Sequence, residues 1–144
     1  MAGDAYIVDT GVFVRWFIEQ VGFEHAREVR DAYLGGHAYL ETIDHVRFEF
    51  GNVLRKFGLL TRLIERDEYV AASRVIDDLG ITIHITDVDA AERAAVLAAD
   101  KNISYYDALL VDRSLERGLP LLTTDKKLCN AVSGFAKTQL LRGI

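Results

Sequence analysis

The sequence predicts an α/β domain built on a mainly parallel sheet with helices on both faces. Three observations carry that reading. Short, continuously apolar runs such as Ala5-Tyr6-Ile7-Val8 and Pro120-Leu121-Leu122-Thr123 suit strands buried on both sides. Helical patterns separate these runs, and a parallel neighbour requires such a crossover. The chain has 144 residues, half of them hydrophobic, with one proline and no Ser/Gly-rich linker, so a single domain over 1–144 is expected.

The elements follow in order. The first strand, Ala5 to Val8, ends in Asp9 and is bounded by Thr10-Gly11. A helical pattern runs from Val12 to Ile18, and a second from Glu24 to Leu34, stopped by Gly35-Gly36. Across residues 44–57, Val46, Phe50, Val53, Leu54 and Phe57 trace one helical face. Leu63 to Leu79 is a further helix, stopped by Gly80. Ile81 to Thr86 alternates and is rich in β-branched residues, which predicts a strand. Asp87 or Asp89 caps an Ala-rich helix reaching about Asp100. Ser104 caps another over 105–117, ended by Gly118. The strand Pro120 to Thr123 leads to Thr124-Asp125, and a helical turn and a strand near Thr138 to Leu141 follow.

Composition narrows the function. Seventeen Lys and Arg against 22 Asp and Glu leave a net charge of −5, which excludes wholesale electrostatic binding to nucleic acid but not a nucleic-acid substrate held through metal ions. The single cysteine, Cys129, excludes an intramolecular disulfide and a multi-cysteine zinc site. It reads as a small core residue in a protein of a reducing compartment, so a cytoplasmic location is expected. No apolar run approaches the roughly 18 residues of a membrane span. Met1-Ala2-Gly3-Asp4 lacks a basic export-signal region.

In a parallel α/β sheet, ligands sit beyond the carboxyl ends of the strands. Asp9 and Asp125 each follow a strand, and each also suits a helix cap. At about 100° per residue, Asp107 falls between Leu110 and Val111 on its helix, where a carboxylate is costly without a partner. A place in the first turn, favoured by the helix dipole, is the simpler account of it. Glu49 borders the stripe of Val46, Phe50 and Val53, with Asn52 and Lys56 along the same side, so Asn52 is expected to orient the Glu49 carboxylate. A solvated flank is the plainer reading of Glu49. Converging acids repel one another unless a divalent cation neutralises them, and all-oxygen ligation suits Mg²⁺ or Mn²⁺. The histidines His25, His37, His45 and His84 form no zinc pattern, and His45 beside Glu49 reads as an ordinary exposed or hydrogen-bonded side chain.

Ile7-Val8-Asp9-Thr10, Glu49-Phe50-Gly51-Asn52-Val53-Leu54, Tyr106-Asp107-Ala108-Leu109-Leu110 and Leu122-Thr123-Thr124-Asp125 occur in the order and roughly the spacing of PIN domains. The chain resembles that family over its whole length, and its size is similar to that of the VapC toxins of type II toxin–antitoxin pairs. The resemblance implies a three-layer α/β/α fold and a Mg²⁺- or Mn²⁺-dependent ribonuclease. Asp9, Glu49, Asp107 and Asp125 are then the acids of the site, with the Thr10 and Thr123 hydroxyls near the metals. Gly11 departs from the pattern, since relatives often carry Ser or Asn there. Asp112 lies about 140° round the helix from Asp107 and is left out.

The resemblance further implies in-line attack by water on an RNA phosphodiester, leaving a 5′-phosphate and a 3′-hydroxyl. Arg15, Lys56, Lys126 and Lys127 are candidates for phosphate contact, against a plain solvated role. Trp16 and Tyr106 offer stacking for a base, but both sit in apolar helical patterns and are expected in the core. A small antitoxin and a second copy of the chain are the implied partners, with the Phe13/Trp16/Phe17 region and the Ala-rich helices as apolar surface. The alternatives are an inactive PIN-like interaction module and, on weaker grounds, a phosphatase- or receiver-like domain. The phosphatase pattern needs a second acid where Gly11 stands.

Overall fold

The first strand, β1 (Asp4–Val8), occupies the middle of a five-stranded sheet. A computed structural model describes residues 3–144. Met1 and Ala2, part of the stretch read above for an export signal, lie outside them. The other strands are β2 (Ala38–Ile43), β3 (Thr82–His84), β4 (Leu121–Thr123) and β5 (Thr138–Leu140). Their order is β3-β2-β1-β4-β5, and every neighbouring pair is parallel. The chain builds outward from β1 through β2 to β3, then returns to the other side of β1 to add β4 and β5. The topology therefore reverses between β1 and β4, and a crevice at such a point is the standard ligand position in an open α/β sheet. Pairing of Ile7 with Leu121 and of Val8 with Leu122 brings the ends of these two strands level, so Asp9 and Asp125 open onto one edge.

Helices α1 (Thr10–Val14), α2 (Phe23–Leu34), α3 (Asp44–Leu54), α4 (Arg66–Ala72), α5 (Val75–Asp78), α6 (Val88–Lys101), α7 (Tyr105–Arg117) and α8 (Lys126–Ala131) complete the described fold. Where local chemistry is strong, the expected boundaries hold. Asp87 caps α6 by accepting from the Ala90 N–H at 2.8 Å, and Ser104 caps α7 by accepting from the Asp107 N–H at 3.1 Å. Gly118, at φ 63°, ends α7 in the left-handed conformation that glycine adopts without strain.

The core joins the helices to the sheet. Phe13, on α1, and Phe50, on α3, are fully buried with ring centroids 6.2 Å apart, and Trp16 meets Phe13 edge-on at 4.9 Å. The Trp16 indole N–H donates to the Ala26 carbonyl at 2.9 Å, which satisfies its one polar group inside the core. Phe13 and Trp16 are thus structural, and the expected partner surface at Phe13/Trp16/Phe17 is corrected. Of the three only Phe17 keeps partial exposure, and it packs on the core.

Five further expectations are corrected. Strand β2 lacks an apolar run in the sequence because its middle is polar. Glu41 is fully buried there, and Arg117 donates to both its carboxylate oxygens at 2.8 and 2.9 Å, while His84 Nε2 stands 2.5 Å from Oε1. The helix over 44–57 stops at Leu54 and passes into a π-turn over Arg55–Leu59, which leaves Phe57 40% exposed instead of on the buried face. At that turn the backbone of Gly58 approaches Ile64 so closely that a Cβ would sit 2.9 Å from Ile64 Cδ1. The stretch 63–79 begins late, at Arg66, where Glu65 and Glu68 form a capping box, and it divides into α4 and α5. β3 ends before Thr86, whose N–H and hydroxyl bind the Asp44 carboxylate at 2.9 and 2.8 Å. Cys129 is half-buried and stands outside the core cluster.

Candidate active site

A cleft of about 280 Å³ opens at the reversal point between β1 and β4. Asp9, Glu49, Asp107 and Asp125 all line it, together with Thr10, Gly11, Arg15 and Thr124. Four acids separated by up to 116 positions in the chain thus face one space.

Asp9 sits at the floor. Its Oδ1 accepts from the Thr10 N–H at 2.7 Å and its Oδ2 from the Thr123 hydroxyl at 2.7 Å, so both oxygens are fixed in direction. Burial nevertheless pushes its pKa up from 3.8 to about 6. The two hydrogen bonds oppose that rise, and the nearby Asp107 and Glu49 charges add to it. Asp107, one residue past the exposed Tyr106 in the first turn of α7, is also raised, chiefly by burial and then by Asp125 and Glu49. The dipole account of Asp107 and its place in the cleft hold together.

Asp125 both caps and lines. Its Oδ1 accepts from the Leu128 N–H at 3.0 Å to start α8, and its own N–H donates to the Thr123 Oγ1 at 3.1 Å. Thr123 therefore ties the two strand-end acids together. Glu49 is held from its own helix, with Oε2 2.9 Å from His45 Nε2. The His45 ring lies flat on Tyr106 at 4.0 Å with a 4° interplanar angle.

Several expectations about individual residues change. Asn52 is exposed, does not line the cleft and makes no hydrogen bond to Glu49. From this helix Glu49 and Val53, four residues apart, line the cleft, and His45, one turn before Glu49, takes the orienting place expected of Asn52. Tyr106 is 56% exposed, against the expectation of a core position, whereas Trp16 is 4% exposed. Of the four cations proposed for phosphate contact, only Arg15 lines the cleft. Its guanidinium donates to the carbonyls of Gly11 and Val21 at 3.0 and 2.6 Å. Lys56 instead lies over the Phe57 ring at 5.3 Å. The departure at Gly11 has a steric cause, since a Cβ there would meet Thr124 Oγ1 at 2.4 Å and Arg15 Nη1 at 3.2 Å. Asp112 points elsewhere and is held by Arg93 at 2.9 and 3.2 Å.

Among the described residues, no three His, Cys, Asp or Glu side chains form a ready metal-holding group, so the acids surround the cleft without closing a cage. Mg²⁺ needs only one or two carboxylates and keeps several waters, which such an open arrangement allows. The Thr10 hydroxyl is buried with no hydrogen-bond partner, and buried polar groups are seldom left so. An oxygen-only donor set, uncompensated negative charge and an orphan hydroxyl in one cleft fit a hydrated hard cation.

The comparisons with known proteins agree with this geometry. Residues 6–133 match the sequence profile of the PIN domain. The chain belongs to the PIN domain family. PIN domains are nucleases, and membership removes the phosphatase- and receiver-like alternatives. No curated protein sequence matches the chain significantly. Among solved structures it is similar to VapC20 of Mycobacterium tuberculosis, described as a sarcin-ricin loop cleaving toxin. That likeness has a TM-score of 0.69 and 17% identity over 93% of this chain and 98% of that one. A toxin–antitoxin complex from Klebsiella pneumoniae aligns with a TM-score of 0.69 and 16% identity, over 96% and 99% of the two chains. VapBC-5 of Mycobacterium tuberculosis aligns with a TM-score of 0.60 and 22% identity, over 96% and 98%. At these identities the likeness concerns the PIN fold. Among the described residues no helix is long and apolar enough to cross a membrane.

Proposed function

We propose that this PIN domain is an endoribonuclease dependent on Mg²⁺ or Mn²⁺ and the toxin of a toxin–antitoxin pair. The observation that carries the proposal is the gathering of Asp9, Glu49, Asp107 and Asp125 around the cleft at the topological reversal. Asp9, Glu49, Asp107 and Asp125 are the residues that would hold the ion. The chemistry supplied by a bound dication is neutralisation of charge on the phosphoryl oxygens and a more acidic attacking water.

The chain's own groups do the positioning. Thr123 and the Thr10 N–H aim the two oxygens of Asp9, and the Leu128 N–H fixes one oxygen of Asp125. The other oxygen of Asp125, a cleft-lining residue, takes no part in the cap and remains an acceptor. Arg15, braced on two backbone carbonyls, offers its remaining N–H donors to a substrate phosphate and offsets part of the acidic charge. No side chain has to attack the phosphorus, and the half-buried Cys129 does not line the cleft.

Two of the three structural relatives described above are named as toxin–antitoxin assemblies, which supports a small antitoxin as partner here. Exposed Phe48, Leu60 and Leu63, at 68, 58 and 67% exposure, supply apolar surface for protein contact. A homodimer is the proposed state of the chain.

The test is cleavage of single-stranded RNA with Mn²⁺ or Mg²⁺, with and without EDTA, by wild type and Asp9→Asn. Cleavage that needs the ion and is lost in the variant is expected. Equal cleavage by both proteins would mark a contaminating nuclease and overturn the proposal. The second reading, a silent interaction module, draws on the open spacing of the acids, which form no closed metal-holding group among the described residues. It predicts metal-independent partner binding and no cleavage.

A further inference from the structure

Tyr106 is a large aromatic side chain left 56% exposed, next in the chain to the cleft-lining Asp107. One of its faces is covered by His45, whose ring is parallel to within 4° at a centroid distance of 4.0 Å. The exposure therefore belongs to the opposite face and the ring edge. Two connections tie this stack to the cleft. Asp107 follows Tyr106 directly in the first turn of α7, and His45 is hydrogen-bonded to Glu49 at 2.9 Å. A flat, rigid aromatic surface thus stands beside two of the four cleft acids, held from behind by a second ring.

We propose that the Tyr106–His45 stack is a platform for one unpaired base of the RNA, placed next to the phosphate in the cleft. The inference rests on the nuclease reading and adds to it a positioning element and a substrate form. An aromatic face recognises any base through its π-surface, and only an unpaired, unstacked base presents that surface. The platform therefore selects single-stranded over duplex RNA at the position it touches. It also supplies attraction that charge cannot, because the chain carries a net −5 and, among the described residues, Arg15 is the one Lys or Arg lining the cleft. His45 has two tasks in this arrangement: it backs the Tyr106 ring and orients the Glu49 carboxylate.

The experiment compares wild type, Tyr106→Phe and Tyr106→Leu. Phenylalanine keeps both the platform and the contact with His45, whereas leucine keeps apolar volume and loses the ring. Far-UV circular dichroism and thermal unfolding first establish that both variants fold. Single-stranded RNA dodecamers carrying 2-aminopurine at successive positions are then titrated in Ca²⁺, with fluorescence quenching as the sign of stacking. Wild type and Tyr106→Phe should bind within about twofold of each other, and Tyr106→Leu about 5- to 150-fold more weakly, the range for loss of one base–aromatic stack. Quenching should be confined to one position and vanish in Tyr106→Leu. In Mn²⁺, removing the base at that position should slow cleavage by wild type strongly and by Tyr106→Leu little further, since the two losses are the same contact.

Wild type that cleaves RNA, with Tyr106→Leu equal to it in binding, quenching and base sensitivity, overturns the platform and leaves the nuclease reading standing. Absence of cleavage by wild type overturns the nuclease reading itself. Equal loss in Tyr106→Phe and Tyr106→Leu also overturns the platform, because the hydroxyl and not the ring would then be responsible.

Discussion

Asp9→Asn should stabilise the metal-free protein at neutral pH while abolishing cleavage. Asp9 carries a pKa of about 6 in the fold against an ordinary 3.8. Between those two values the folded state binds more protons than the unfolded state, so stability falls as pH rises through the window. At 1.36 kcal/mol per pK decade the full cost above pH 6 is about 3 kcal/mol. Asparagine removes that charge. It retains one acceptor oxygen, and its amide has to replace the bond from the Thr123 hydroxyl, at a cost of about 1 kcal/mol. The net expected gain is about 2 kcal/mol at pH 7.5, turning into a loss of about 1 kcal/mol near pH 3.5. Urea unfolding in EDTA from pH 3.5 to 8 measures both ends. With saturating Mg²⁺ or Mn²⁺ the order should invert at neutral pH, because only wild type gains the full binding free energy, about 2.7 kcal/mol at a hundredfold excess over Kd. A difference between the two proteins that does not vary with pH, or a variant less stable than wild type at pH 7.5 in EDTA, would refute the reasoning.

Other perturbations follow from the same geometry. Thr123→Val removes the hydroxyl that serves both Asp9 and Asp125, so cleavage should fall at least tenfold and stability by about 1–2 kcal/mol, while Thr123→Ser keeps most of both; kcat and urea midpoints check this. Arg117→Ala strips Glu41, held at about pH 2 by that guanidinium, of its main partner, and denaturant unfolding should show a loss of about 3 kcal/mol. Because Glu41 is depressed below its ordinary 4.5, its contribution is present above pH 4.5 and fades as pH falls toward 2, so acid should narrow the gap between wild type and this variant. Phe50→Ala should cost about 3–5 kcal/mol in the same assay, since the ring is fully buried against Phe13. Gly11→Ser should lower activity, by pushing Thr124 and Arg15 out of position in the cleft, and a crystal structure of the variant would show the shift.

The parts legible in the sequence were those governed by local chemistry. Asp87, Ser104 and Gly118 mark their helix ends by capping and backbone conformation, and neither depends on distant residues. The acids Asp9 and Asp125 were legible because each follows an apolar strand, and a parallel sheet sends both strand ends to one edge. Strand β2 was hidden because Glu41 and Thr42 are buried polar residues, satisfied by Arg117 76 positions away and by the Val8 carbonyl 34 positions away. No local pattern reports such partners. Asn52 and His45 flank Glu49 on one helix, and spacing alone does not choose between them. The choice comes from Tyr106, brought from α7 to stack on His45. The π-turn at Arg55–Leu59 brings Gly58 close to Ile18, 40 positions away, as well as to the nearby Ile64, and it moves Phe57 off the face its spacing suggested.

Anomalous diffraction from a crystal soaked in Mn²⁺ tests most directly whether these acids make one cation site. The account predicts a manganese peak in the cleft, about 2.0–2.2 Å from oxygens of at least one or two of Asp9, Glu49, Asp107 and Asp125, with waters on its remaining positions. A crystal saturated with Mn²⁺ that shows no peak there, or shows its strongest peak bound by other residues, contradicts it.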